Sequence, residues 1–280
     1  MWHSMKVRFW GVRGSLPTPG RRTVRYGGNT SCVEVRLGAR RMILDAGSGL
    51  SEFSAAIATE PGPVSTDLLL SHMHYDHICG LPFYTPLFQP GNEIRIWSGR
   101  LGHGTSAEVA LRTSLSQPLM PDLASLIQAR VDYREFEAGS VLDLGAGATA
   151  RTAMLWHPGG CVAYRIEWSH RAMVYAADTG HGDPTTDAAL RDLCQGAGLL
   201  IYDAMLTDDE FPSRVAWGHS TWREGVRLAD ACGVRQLVLF HHAPSRDDKA
   251  VAALAAEAAA IRPGTIAARE GLELTVRRAD

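Results

Sequence analysis

The segment Ser71–Pro82, "SHMHYDHICGLP", places three histidines and an aspartate between His72 and His77, in a chain with 11 histidines among 280 residues. Crowded imidazoles gain nothing in core packing. What the pattern His-x-His-x-Asp-His offers is a set of nitrogen and oxygen donors to a divalent cation such as Zn²⁺, Mn²⁺ or Fe. At this chain's own His and Asp frequencies, chance produces the pattern on the order of once in a thousand such chains. If the backbone is still extended at His72, the side chains of His72 and His74 project to the same side. Asp76 and His77 then fall on the following turn, which Gly80 and Pro82 keep short. One loop could so feed two ions, the first through His72 and His74, the second through Asp76 and His77.

These donors do not close a coordination shell, so partners must come from elsewhere. His157 ends "TAMLW" before the turn "PGG", and Asp178 ends "AMVYAA" before "TGHG". His219 lies in "AWGHST", and His241 and His242 end "QLVLF". Each has a plainer reading: His157 as a capped core histidine, Asp178 as a turn residue before Gly180, His219 as a residue ahead of a Ser220 or Thr221 helix cap. Their shared place at the ends of apolar runs unites them, because loops at one edge of a sheet converge in space. The run before His241 and His242 is apolar on both faces, so strand parity does not choose between them. His3, His103, His170 and His181 lack such a setting and read as surface histidines. Arg13, Arg25 and Asn29, in Gly-rich loops, either contact phosphate or brace their loops. Gly102–Pro121 reads as a lid beside the site or as a surface helix.

The elements that must position these residues are legible from periodicity and punctuation. Strands are expected at "KVRFWGV", in a hairpin of "SCVEVRLG" and "RRMILDAG", at "TDLLLS", which delivers the histidine cluster, and at "EIRIWSG". The second half offers "VLDLG", "ATARTAML", "CVAYRIEW", "RAMVYAAD", "LLIYDA", "RQLVLF" and a closing "LELTVRRAD". Helices are expected at "GLSEFSAAIAT", "SAEVALRTSL", "PDLASLIQAR", "TTDAALRDLCQGA", "TWREGVRLADACG" and "DDKAVAALAAEAAAI", the last with an Asp cap. Strands mixed with helices imply an α/β (α+β) arrangement, helices covering both faces of packed sheets. The chain reads as one domain, 1–280, of two similar halves meeting near residue 150.

Composition sets the outer bounds. With 45% hydrophobic residues, 21% charged residues and a net charge of −2, the chain is an ordinary globular sequence with no bulk attraction to nucleic acid or membrane. No stretch approaches the roughly 18 apolar residues of a membrane span. The N-terminus turns polar too soon for a signal peptide. The five cysteines are odd in number and show no paired spacing. They are expected to be reduced, mostly buried thiols of a cytoplasmic protein.

"SHMHYDH", His157, Asp178 and the "GHST…LFHH" tail together resemble the metallo-β-lactamase superfamily, and within it the ribonuclease Z and phosphodiesterase group. The opening "VRFWGVRGSLPTPG…RYGGNTSCVEV…ILDAGSG" resembles a bacterial set of metal-dependent hydrolases in that branch, and the likeness runs from about residue 6 to about 250. The resemblance implies a four-layer αββα sandwich with two metal ions at the sheet edge, most simply Zn²⁺. It implies His72, His74 and His157 on one ion, Asp76, His77 and His241 on the other, and Asp178 between them. It favours His241 over His242, gives Asp45 of "LDAG" a supporting role through hydrogen bonds, and marks His219 as the extra histidine of phosphodiesterase-type members. Asp76 would then orient and deprotonate the attacking water, and His219 would protonate the leaving oxygen.

Relatives of the ribonuclease Z type often carry a long arm for tRNA between the positions of His157 and Asp178. Here positions 158–177 leave only 20 residues, so cyclic nucleotides, small diesters or nucleic-acid ends fit better than tRNA. Hydrolysis of a lactone, thioester or β-lactam on the same scaffold is the alternative, and a non-catalytic scaffold a further one. Relatives of this kind also suggest a homodimer.

Overall fold

The computed structural model describes residues 4–101 and 106–278. Its strands follow the apolar patterning of the sequence. In β1 (Met5–Gly11) every second residue is fully buried, as alternation predicts. It pairs antiparallel with β2 (Cys32–Leu37), which turns back into β3 (Arg40–Leu44) as the expected hairpin. β4 (Ser65–Leu70), β5 (Glu93–Gly99) and β6 (Arg130–Phe136) follow in parallel. The chain then passes to a second sheet. There β7 (Val141–Gly145), β8 (Ala148–Leu155), β9 (Cys161–Trp168) and β10 (Arg171–Ala176) form an antiparallel meander. β11 (Leu199–Asp203), β12 (Leu237–Phe240) and β13 (Ile266–Ala267) extend it in parallel. β14 (Glu273–Thr275) returns to the first sheet beside β1. Each sheet has seven strands.

The layers follow from which face each side chain takes. Val33, Val35, Leu69, Tyr164, Tyr175, Ile201, Val238 and Phe240 meet between the sheets. The alternate residues of the same strands face outward under helices. Leu50 and Phe53 of α1 (Gly49–Ile57) cover Ile43, Leu68 and Leu70 on the first sheet, with Leu111 of α3 (Ala107–Ser114) beside them. Leu190 of α4 (Pro184–Cys194), Val226 of α5 (Trp222–Ala231) and Ala258 of α6 (Asp248–Ile261) cover Val174, Leu200 and Leu239 on the second. The order is αββα. Thr221 caps α5 and Asp247 caps α6, each accepting a backbone N–H three residues on.

Two expectations fail, both at sheet edges. The stretch "PDLASLIQAR" forms one 3₁₀ turn, Ala124–Leu126, rather than a helix, and the chain then enters β6, which the sequence did not announce. β6 is the outermost strand of its sheet, six of its seven residues are half-buried or exposed and four of them are charged, so it lacks an apolar signature. β13, two residues long at the opposite edge, was equally silent. No helix among the described residues is long and apolar enough to cross a membrane.

Candidate metal centre

β3, β4, β8, β10, β11 and β12 all end at one edge of the sandwich, where loops of both sheets meet. β4 delivers Ser71 and His72. His74 stands at the N-cap position of a single helical turn, α2 (Tyr75–Ile78), which carries Asp76 and His77. β8 runs out to His157, β10 to Asp178, and β12 to His241. One donor atom each from His72, His74 and His157 lie within 4.8 Å of one another, and so do donors from Asp76, His77, Asp178 and His241.

Asp178 stands between these groups. Its Oδ1 is 3.1 Å from Nε2 of both His77 and His241. Its Oδ2 faces the other group, 3.8 Å from His72 Nε2 and 3.7 Å from His157 Nε2. Asp76 Oδ2 lies 3.2 Å from His77 Nε2 and 3.3 Å from His241 Nε2. All of these residues are buried except His74, which stands at the mouth.

The donor set fits divalent cations by three observations. His72 Nε2, His77 Nε2 and Asp178 Oδ1 are buried without a hydrogen-bond partner, a costly arrangement unless a cation engages them. The donors are imidazole and carboxylate, which suit Zn²⁺ and neighbouring transition metals. The local field also calls for positive charge. Burial alone would lower the His77 pKa, yet Asp178, Asp76 and Asp45 outweigh it and hold His77 well above the ordinary histidine value. His72 and His157, where burial prevails, are lowered and offer neutral lone pairs.

Two residues of the site break strand geometry. Asp45 (φ 59°) and His241 (φ 57°) adopt the left-handed conformation just beyond β3 and β12. For a residue with a Cβ this costs about 1–2 kcal/mol. At His241 it swings the ring off the outward alternation of Leu237 and Leu239 and into the cluster. His242, by contrast, turns its Nε2 to Ala268 O at 2.9 Å. At Asp45 the turn aims the carboxylate into the site. Oδ2 accepts from His77 Nδ1 at 2.7 Å, from Ser71 Oγ at 2.8 Å and from Tyr175 OH at 2.7 Å, while Oδ1 accepts from Ser71 N.

His219 lies beside the cluster, its ring centroid 5.2 Å from that of His157 and 5.1 Å from that of His241. Its Nδ1 is 2.8 Å from Asp203 Oδ2. Burial would lower its pKa, but Asp203, with Asp178 and Asp76 behind it, raises it to about 9. Gly218 lets this loop close in: its φ is +74°, and an added Cβ would fall 2.8 Å from His157 Nδ1. Gly218 O accepts from that nitrogen at 2.9 Å.

Other expectations sort as follows. His181 is not a surface histidine: it is half-buried, its Nδ1 is 2.8 Å from Ser220 Oγ, and its ring stacks on Phe211 at 3.9 Å. His170 is exposed in the β9–β10 turn. His3, His103 and the start of the Gly102–Pro121 segment lie outside the described residues; the rest carries α3. Arg13 braces loops, donating to Gly27 O and Arg246 O, and is fully buried. Asn29 accepts from Ser48 Oγ, and Arg25 lies over the Tyr26 ring, so none of the three faces the cluster.

Sequence reasoning missed Asp203, Ser71, Tyr175 and Ser15, whose N–H donates to Asp76 Oδ2 at 2.7 Å. Asp203 carried the signal that found Asp178, an acidic residue ending an apolar run. Tyr175 carried none, being one more large residue inside a buried strand.

An αββα sandwich with a histidine–aspartate cluster at its sheet edge is the metallo-β-lactamase architecture. The chain belongs to that superfamily, for residues 40–242 match the β-lactamase superfamily domain. It is 26% identical to ribonuclease Z of Mycobacterium bovis over 267 residues, covering 86% of this chain and 87% of that protein. Among solved structures, the metallo-β-lactamase fold protein YhfI from Bacillus subtilis superposes with a TM-score of 0.72 at 22% identity, covering 98% of this chain and 99% of the other. Human tRNase Z, short form, gives 0.71 at 18% identity, covering 97% and 99%.

Proposed function

We propose that this chain is a dinuclear-metal-dependent phosphodiesterase. The observation that carries the reading is the placement of Asp178, one oxygen toward His77 and His241 and the other toward His72 and His157. A carboxylate so divided suits two ions, one held by His72, His74 and His157 and the other by Asp76, His77 and His241. Two such ions, most simply Zn²⁺, supply an activated water at neutral pH and screen the charge that grows on the phosphoryl oxygens.

The chain's own groups do the rest. Asp76 is oriented by the Ser15 N–H and stands ready to accept the proton of the attacking water. His219 presents Nε2 while Asp203 accepts from Nδ1 and favours the protonated ring. The Nε2 proton goes to the leaving oxygen as its bond to phosphorus breaks.

The ribonuclease Z relatives support phosphodiester chemistry, as does His219 itself. The interval from His157 to Asp178 is filled by β9 and β10, which lie within the sheet, so cyclic nucleotides, small diesters or nucleic-acid ends fit better than tRNA. The test is metal analysis of the purified protein beside hydrolysis of bis(p-nitrophenyl) phosphate, a cyclic-nucleotide panel, a lactone and a thioester. Two ions per chain and selective diester cleavage are expected. Turnover of the lactone or thioester alone would overturn the reading.

A further inference from the structure

Beside the metal centre a cavity of about 250 Å³ opens between α3 and the turn that follows β8. One wall is His72 and His74. The others are Met73, Leu101, Ala110 and the turn Pro158–Gly160. Among these described residues the two histidines are the only titratable ones, and the metal reading commits both. The remainder of the surface is apolar or bare backbone: a Cβ added at Gly159 would meet nothing within 4 Å. Such a wall offers no charged side chain to pair with a second phosphate or a charged head group, and it favours an apolar occupant.

We propose that this cavity receives the nucleobase on one side of the scissile phosphodiester, and that it selects a two-ring base. The inference rests on the phosphodiesterase reading. Size is the first argument. A cavity of roughly 150 Å³ holds benzene, so this one admits a ring system larger than a single six-membered ring. Surface chemistry is the second. The Met73 thioether is a soft partner for an aromatic face, and Gly159 carries no side chain to obstruct a ring. Position is the third, since a phosphate at the metal centre puts a neighbouring nucleoside within reach of the cavity that shares His72 and His74.

The test uses the metal-loaded protein and three substrates: the p-nitrophenyl esters of adenosine 5′-monophosphate and cytidine 5′-monophosphate, and methyl p-nitrophenyl phosphate. KM should be lowest for the adenosine ester and highest for the methyl ester. Ala110→Phe, which fills the cavity, should raise KM for the adenosine ester by roughly tenfold or more, the scale of one lost base stack, and leave kcat/KM for the methyl ester within about twofold. Equal KM across the three substrates in the unaltered protein would overturn the proposal. Equilibrium dialysis with adenosine, which has no phosphate, reads the cavity without turnover: saturable binding that Ala110→Phe abolishes is expected, and no binding to the unaltered protein counts against it. Should all three esters resist hydrolysis, the phosphodiesterase reading falls, and adenosine binding still decides the cavity.

Discussion

Asp45 Oδ2 sits 2.7 Å from His77 Nδ1, and the same oxygen accepts the Tyr175 hydroxyl from the opposite sheet, also at 2.7 Å. One carboxylate thereby engages His77 Nδ1 as a donor, aims Nε2 at Asp76 and Asp178 where a cation would bind, and ties the ligand loop to both sheets. Asp45→Asn keeps a side chain that tolerates the left-handed backbone but turns an amide N–H₂ toward groups that donate. Metal affinity should fall about 10- to 100-fold, read by competition with a chromogenic chelator. Unchanged affinity would make the bond a bystander.

His219 and Asp203 form a second pair, 2.8 Å apart. His219→Ala should lower kcat by roughly 10²–10⁴ while metal content stays the same. Asp203→Asn should lower kcat in the same direction by less, because the imidazole remains but loses its orienting anion. Loss of metal from His219→Ala would instead make His219 a ligand, an option its closeness to His157 and Asp178 keeps chemically real.

The sequence was most legible where chemistry and periodicity coincide. The cluster from His72 to His77, Asp178 and the strands that carry them were all readable, because unusual donor spacing and apolar runs each leave a mark. The choice between His241 and His242 was not readable from parity, since a left-handed residue at the end of β12 decides it, and a run apolar on both faces does not encode that φ. β6 escaped because charged residues interrupt its apolar pattern, and β13 because two residues carry no periodicity. Tyr175 escaped because only the packing of the two sheets shows that its hydroxyl reaches Asp45.

Gly14 illustrates a constraint that no donor pattern reveals. A Cβ there would fall 2.4 Å from His241 Cε1, 2.5 Å from its Nδ1 and 2.6 Å from Met205 Cε. The Met205 methyl can swing aside; the His241 ring, fully buried, has little room. Gly14→Ala should therefore displace His241 and lower metal occupancy, the ion on the side of Asp76 and His77 going first. The far-UV circular dichroism should not change. Full occupancy of two ions with unaltered activity would show that the loop simply shifts to make space.

Far from the metal centre, Asp67 offers a stability prediction with a definite sign. Its carboxylate is wholly buried in β4 and accepts from Arg95 Nε at 2.7 Å, Arg40 Nη2 at 2.7 Å and Trp97 Nε1 at 3.0 Å. Burial would raise its pKa, but Arg95, Arg40 and Trp97 outweigh that and hold it below the ordinary aspartate value. A carboxyl depressed on folding contributes stability that is fully present above its unfolded pKa of about 3.9 and is lost as pH falls through the folded value. Asp67→Asn should cost roughly 3 kcal/mol at neutral pH, the low end for breaking a buried pair because both arginines keep some contact with water. The gap between the two proteins in urea unfolding should narrow below about pH 4. Acid empties the metal centre in both alike, so the difference between them isolates Asp67. A gap that stays constant from neutral pH down to strong acid would mean that this buried carboxylate owes its place to shape and hydrogen bonding, with its charge adding nothing.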